Sequence, residues 1–175
     1  FAQIEKNAKV GFIESGQGVH QHLCFNVTRP PFDNIELRKA IALGIDRAAL
    51  AKVIAPTVGR VLGGFETEGD GWVYDGSGKG HVFDKAKARE AYEKSGYKGP
   101  PLLMSLIQRD PDTQVAQMIQ SMLKAAGIDI KIEVLERQAY ADKVVNHRNE
   151  FALQIFTQVY VISDGGPLWS TLFCD

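Results

Sequence analysis

Arg109 and the segment 156–161 are the parts of this chain best placed to contact a ligand. Arg109 follows an apolar run of strand length, Leu102–Gln108, and residues 156–161 end a second such run, Phe151–Val161. In an open α/β sheet, ligands bind beyond the carboxyl ends of the strands. This rule predicts non-covalent ligand binding at both places. For Arg109 the alternative is a solvated turn residue that Asp110 and Asp112 neutralise locally, and the sequence leaves both interpretations open.

The segment 156–161 offers side chains suited to holding a small molecule. Gln158 can both donate and accept hydrogen bonds, and Phe156 and Tyr160 can provide stacking surfaces. The alternative for Phe156 is that it alternates into the core, as strand aromatics often do.

The remaining reactive residues do not form a recognisable catalytic or metal-binding pattern. His20 and His22 share one strand face at a spacing of two, but no carboxylate or third imidazole is near in sequence. Cys24 lies in an apolar strand without the motif of a nucleophile. The glycines of residues 59–64 lack the Lys-Ser/Thr ending of a phosphate loop. We therefore expect no catalytic residue, no metal site and no cofactor.

Periodicity along the chain predicts an α/β fold with a mainly parallel central sheet flanked by helices. Strands are expected within 10–27, at 102–108, at 128–134 and at 151–161, and a helix over roughly 139–147. The segment 102–134 reads as strand, helix and strand, a βαβ unit. Four aspartates are predicted to start helices and two glycines to end them; they are Asp33, Asp46, Asp84, Asp112, Gly96 and Gly127. Residues 56–82 contain eight of the 17 glycines, which predicts a long loop.

Composition is that of an ordinary globular domain, and one domain is the default at 175 residues. The formal net charge is −1, so no basic excess indicates nucleic-acid binding. No apolar run approaches the roughly 20 residues that cross a bilayer, and the first residues do not resemble a signal peptide. Both ends are expected to be cuts through a longer protein. Cys24 and Cys174 are expected to be separate thiols, although one disulfide is an alternative.

Several motifs, in this order, resemble the extracellular solute-binding proteins of family 5, the dipeptide-, oligopeptide- and nickel-binding proteins of ABC importers. The most recognisable is a double proline followed by two helix starts. The matching pieces are Phe25–Asn26, Pro30–Asp33, Arg38–Arg47, Asp84–Ala88, Ser95–Tyr97, Gln117–Ile128, Asp164 and Leu172–Phe173.

The resemblance implies a lobe of the type II periplasmic-binding-protein fold. Residues 1–175 would form a single domain, the second lobe of a two-lobe protein whose first lobe is absent. It further implies the substrate-binding component of an ABC importer, periplasmic or an extracellular lipoprotein. Such a component catalyses nothing and captures a small solute, peptide-like or an organic acid, between the lobes. Its partners would be the solute, the permease subunits and the first lobe, with no nucleic acid and no membrane insertion of this segment.

The resemblance also assigns roles to single positions. Arg109 falls where the dipeptide binders place an arginine for the peptide carboxylate, and a planar guanidinium suits that role. Val161 falls where they place an aspartate for the ligand's ammonium group, and Gln158 replaces an expected tryptophan. Because valine cannot form that ion pair, an anionic or neutral solute is expected rather than an ordinary dipeptide.

Two other functions also fit the sequence. One is an enzyme in which the glycine-rich segment 56–82 acts as a lid, which requires a perturbed acid, base or nucleophile beneath it. The other is a sensor or chaperone that uses the same fold outside transport.

Overall fold

The computed structural model describes residues 19–54, 61, 82–145 and 153–159. Side chains are described for all of these except residues 19, 20, 144, 145, 154 and 156–159. The predicted loop at 56–82 therefore lies, apart from residues 61 and 82, outside the described residues, and so does the predicted strand region before residue 19.

Helices and strands alternate along most of the described chain, as the α/β prediction requires. The strands are β1 (Val19–Phe25), β2 (Leu102–Ile107), β3 (Ile130–Leu135) and β4 (Leu153–Val159). The helices are α1 (Ile35–Gly44), α2 (Arg47–Ile54), α3 (Lys85–Ser95), α4 (Asp112–Ala125) and the short α5 (Arg137–Tyr140), and a π-helical turn (Ala141–Val145) follows α5.

The four strands form one mixed sheet in the order β1-β4-β2-β3. β2 pairs in parallel with both β3 and β4, so the predicted βαβ unit and the mainly parallel sheet are confirmed. β1 runs antiparallel to β4, with Val19 opposite Val159 and Phe25 opposite Leu153. Because of this direction, the start of β1 lies beside the end of β4.

The hydrophobic core lies between one face of the sheet and the helices. The sheet contributes alternate residues of its strands, such as Met104, Leu106 and Ile155, all of them buried. Spacings of three and four residues on α4 bring Val115, Ile119 and other apolar side chains onto the same core. A further contribution comes from α1 and α3, which pack against each other.

Helix α1 begins one residue later than its sequence signals predict. Asn34, not Asp33, is the N-cap, and its side-chain oxygen accepts hydrogen bonds from the backbone N–H groups of Glu36 and Leu37. The Asn34 amide also donates to the carbonyl oxygen of Ser95, at the end of α3. An asparagine can serve both partners because its amide donates while its carbonyl accepts, whereas the Asp33 carboxylate has no donor.

The other predicted helix ends are mostly confirmed. Asp84 caps α3, Asp46 accepts from the Ala49 N–H at the start of α2, and Gly96 ends α3 in the left-handed conformation at φ 67°. Gly127 follows α4 at φ 89°. The prediction for Asp112 is wrong: the N-cap of α4 is Pro111, and Asp112 is already the first helical residue.

The segment after β3 differs from the predicted helix over 139–147. It begins at Arg137 and changes to a π-helical turn at Ala141. The Tyr140 hydroxyl donates to the carbonyl oxygen of Ile155 at 3.0 Å, and Lys143 pairs with Glu133, which also accepts from the Ser105 hydroxyl at 2.6 Å. These bonds hold the segment against the sheet face opposite the main core.

Replacing Asn34 with alanine should lower the free energy of unfolding by about 1–2 kcal/mol, because α1 loses its cap. Asp33→Ala is the matched control, since Asp33 is exposed and does not cap the helix. Urea unfolding followed by circular dichroism measures both. Equal losses for the two variants would contradict the assignment of the cap to Asn34.

Replacing Glu133 with glutamine should reduce the stability of the protein at neutral pH. Burial raises the pKa of Glu133, but hydrogen bonds from Lys143 and Ser105 outweigh that effect and hold its pKa below the ordinary 4.5. A lowered pKa stabilises the folded state above pH 4.5, and this contribution disappears as the pH falls through the lowered value.

Urea unfolding at a series of pH values measures this effect. The wild-type and Glu133→Gln proteins should differ most at neutral pH and converge in acid. Glu136→Gln is the control, because Glu136 is exposed and its side chain makes no capping bond. A difference that stays constant down to pH 4.5 and below would show that ionisation of Glu133 is not its cause.

Candidate functional site

The carboxyl ends of β2, β3 and β4 lie along one edge of the sheet, because β2 runs parallel to both of its neighbours, β3 and β4. The Gln108 N–H donates to the Leu135 carbonyl oxygen at 2.8 Å and keeps β2 and β3 together to their last residues. Arg109 is the second residue after β2 at this edge, and Glu136 and Arg137 follow β3. The structure therefore places Arg109 where the strand-end rule predicts ligand contacts.

The Arg109 guanidinium is partly exposed and bonded to a buried carboxylate. Its side chain is 45% exposed, whereas that of Asp112 is 1% exposed. Arg109 Nε and Nη2 both donate to Asp112 Oδ2, at 3.1 and 2.7 Å. Of the two acids that could neutralise Arg109, it is thus Asp112 that pairs with it, while Asp110 is exposed.

Gln21 joins this pair from the other end of the described chain. Its Nε2 donates to Asp112 Oδ1 at 2.7 Å across 91 positions of sequence. Sequence reasoning missed this residue, since a polar side chain in a strand carries no local sign of a partner so far away. The contact of Asp112 with Arg109 was among the alternatives that the sequence offered, because the two residues are three positions apart, but its contact with Gln21 had no local signal.

The predicted residues of the last strand are described only in part. Phe156 and Gln158 belong to β4, where their backbones pair with His22 and His20. Along the strand they alternate with the core residues Leu153 and Ile155. Tyr160 and Val161 lie outside the described residues, so their roles stay predictions.

Cys24 does not have the properties of a nucleophile. Its thiol is free, and burial raises its pKa to about 11. A thiol with that pKa is protonated at neutral pH, and it is the thiolate that attacks substrates or binds metals. The separate thiol expected at Cys24 is confirmed, while Cys174 lies outside the described residues.

Two properties of the described residues bear on other functions. Within residues 19–54, 61, 82–145 and 153–159, no three His, Cys, Asp or Glu side chains are grouped so that they could hold a metal ion. No helix in those same stretches has the length and apolar character needed to span a bilayer.

The sequence is similar to curated proteins named as binding proteins. It is 28% identical over 175 residues to the glutathione-binding protein GsiB of Pectobacterium atrosepticum, a match that covers 95% of this chain and 33% of that protein. Against GsiB of Escherichia coli K12 the identity is 27%, with the same shares covered. The chain thus spans about a third of the length of these relatives.

Solved structures show where this fold occurs. The periplasmic binding protein DppA of Helicobacter pylori, in complex with the peptide STSA, superposes with a TM-score of 0.78 at 26% identity. That match covers 98% of this chain and 33% of DppA. The dipeptide-binding protein of Pseudoalteromonas sp. SM9913, in complex with Met-Leu, gives a TM-score of 0.77 at 18% identity over 97% of this chain and 34% of that protein. The α/β fold is therefore that of a periplasmic-binding-protein lobe.

A family model decides the classification, because it matches almost the whole chain. The model describes the bacterial extracellular solute-binding proteins, family 5 Middle, and it matches residues 1–173. The chain belongs to the bacterial extracellular solute-binding proteins of family 5.

Proposed function

We propose that this chain is the second lobe of the substrate-binding component of an ABC importer, and that the lobe binds a small solute bearing a carboxylate. The family membership and the binding-protein names of the relatives support a role in binding rather than in catalysis. Residues 1–175 would form one domain, and a first lobe elsewhere in the complete protein would supply the opposite wall of a cleft. Lobes of binding proteins close around a ligand about a hinge.

The observation that carries the proposal is the placement of Arg109. A half-exposed guanidinium follows β2 at the carboxyl edge of the sheet, where open α/β sheets bind their ligands. Carboxylates are the preferred planar partners of guanidinium groups. Glutathione and the peptides bound by the relatives carry carboxylates, which is the solute class that we assign to this chain.

The segment 156–161 would form the other side of the ligand site. Phe156, Gln158 and Tyr160 would contact the body of the solute, and Val161 would leave its far end without an ion pair. A peptide-like or organic acid with no obligatory ammonium group fits this arrangement best. β4 ends at Val159, on the same edge as Arg109, which supports the assignment.

The complete protein would act outside the cytoplasmic membrane, in the periplasm or as an extracellular lipoprotein. The likeness to periplasmic binding proteins supports this location. The partners would be the solute, the permease subunits and the first lobe, with no nucleic acid and no insertion of this segment into the membrane. Reading the flanking gene sequence tests the two-lobe organisation, and finding neither a first lobe nor an export signal there would contradict it.

Replacing Arg109 with alanine in the complete protein should weaken binding of a carboxylate solute by roughly tens- to hundreds-fold. This corresponds to about 2–3 kcal/mol for the loss of a charge-assisted hydrogen bond. A thermal-shift screen of small acids, peptides and sugars identifies the solute, and isothermal titration calorimetry then measures the affinity.

Arg137→Ala is the matched control, because Arg137 is an exposed arginine that follows β3 at the same edge. It should leave the affinity nearly unchanged. Unchanged binding in the Arg109 variant, or equal losses in both variants, would contradict the assignment of Arg109 as the carboxylate contact.

A further inference from the structure

The Arg109 guanidinium uses only one of its two edges to bind Asp112. A guanidinium has a side edge, formed by Nε and Nη2, and an end edge, formed by Nη1 and Nη2, and either can hold a carboxylate through two parallel bonds. Both hydrogen bonds from Arg109 to Asp112 come from the side edge. Of its five N–H donors, the three others make no hydrogen bond to the described residues, and two of these belong to Nη1.

Asp112 is itself held in place from two directions. It is the first residue of α4, so its backbone is part of the helix. Its other carboxylate oxygen accepts from Gln21 on β1, a strand of the central sheet. At 1% exposure the carboxylate has almost no contact with water, and a buried charge that lost a donor would be costly. The Asp112 carboxylate therefore connects the guanidinium of Arg109 to the first turn of α4 and, through Gln21, to the sheet.

This arrangement fixes the direction of a side chain that would otherwise be mobile. A free arginine has many rotamers, and ordering such a side chain on binding costs conformational entropy. In this structure the two hydrogen bonds to Asp112 already order the Arg109 side chain. Because Asp112 compensates the charge of Arg109, the pair attracts anions weakly at long range, so recognition at the end edge depends on geometry.

We infer that Asp112 and Gln21 are positioning residues that present the end edge of Arg109 to a planar two-oxygen acceptor. The inference rests on the proposed function, since it assumes that Arg109 contacts the solute. It adds a basis for specificity: the site selects a carboxylate over the matching carboxamide, because only the carboxylate offers two acceptors to two parallel N–H groups. Gln21, which touches Asp112 and not the ligand, contributes to that selection.

The test compares Gln21→Leu with Gln120→Leu in the complete protein. Gln120 is a matched control, because its Nε2 also donates a part-buried hydrogen bond, to the Ile130 carbonyl oxygen at 2.8 Å, and it makes no bond to Arg109 or Asp112. The probes are the N-acetylated dipeptides Met-Leu and Ala-Ala, which carry one carboxylate and no ammonium group, each with the corresponding C-terminal amide, and calorimetry measures the affinities. Gln21→Leu should lower the affinity for the acids about three- to tenfold. It should leave the affinity for the amides within about twofold, because the amides lack the second acceptor.

The ratio of acid to amide affinity separates positioning from a structural role. If Gln21 has only a structural role, Gln21→Leu should lower the melting temperature as Gln120→Leu does, and it should leave the ratio at its wild-type value. That result would overturn the inference. If Arg109→Ala reduces acid binding and Gln21→Leu does not change the ratio, the proposed function stands and the positioning role fails. If Arg109→Ala leaves acid binding unchanged, both fail. If neither acid binds the wild-type protein, peptide-like acids are excluded as the solute class, and the positioning role proposed for them fails.

A second measurement needs no ligand. The melting temperatures of Gln21→Leu, Arg109→Ala and the double variant show whether the two side chains act through Asp112. Non-additive shifts are expected, because each substitution changes what the other donor contributes to the same buried carboxylate. Additive shifts would contradict a connected unit.

Discussion

The parallel pairing of β2 with β3 is the constraint on which the rest of the described structure depends. Parallel strands cannot be joined by a tight turn, so the chain must return across the sheet, and here it does so through α4. A helix that begins at the end of β2 brings its first residues to the carboxyl edge of the sheet. This is why Asp112, at the start of α4, lies within hydrogen-bonding distance of Arg109, at the end of β2.

Local signals in the sequence were sufficient where one residue type serves one local purpose. Asp84 begins α3 and Gly96 ends it, because a capping carboxylate and a left-handed glycine act within a few residues of their position. They were insufficient where a distant partner decided the outcome. Asn34 caps α1 and also bonds to Ser95, and Asp112 bonds to Gln21 on another strand. Neither pairing can be read from neighbouring residues.

The candidate site shows the same division between local and distant information. Its location followed from the apolar runs and the strand-end rule, and the structure places Arg109 accordingly. The antiparallel pairing of β1 with β4 did not follow, because alternation identifies a strand but not its neighbour or direction. That pairing brings the start of β1, and with it Gln21, to the edge where Arg109 lies. The contact between Gln21 and Asp112 could therefore not be predicted from the sequence, although the position of Arg109 and its neighbour Asp112 could.

The pairing of Arg109 with Asp112 affects the orientation of the Arg109 side chain more than it affects the stability of the protein. Burying a carboxylate costs several kcal/mol. Attraction to a charged partner offsets that cost only when the pair lies in a low-dielectric environment and its geometry is good. Arg109 is 45% exposed, so water and salt weaken its attraction to Asp112. The geometry of the bonds is unaffected by that screening: two donors on one edge still meet one buried oxygen. A pair of this kind adds little to the free energy of folding, yet it determines which N–H groups of the arginine are left without a hydrogen bond to the described residues.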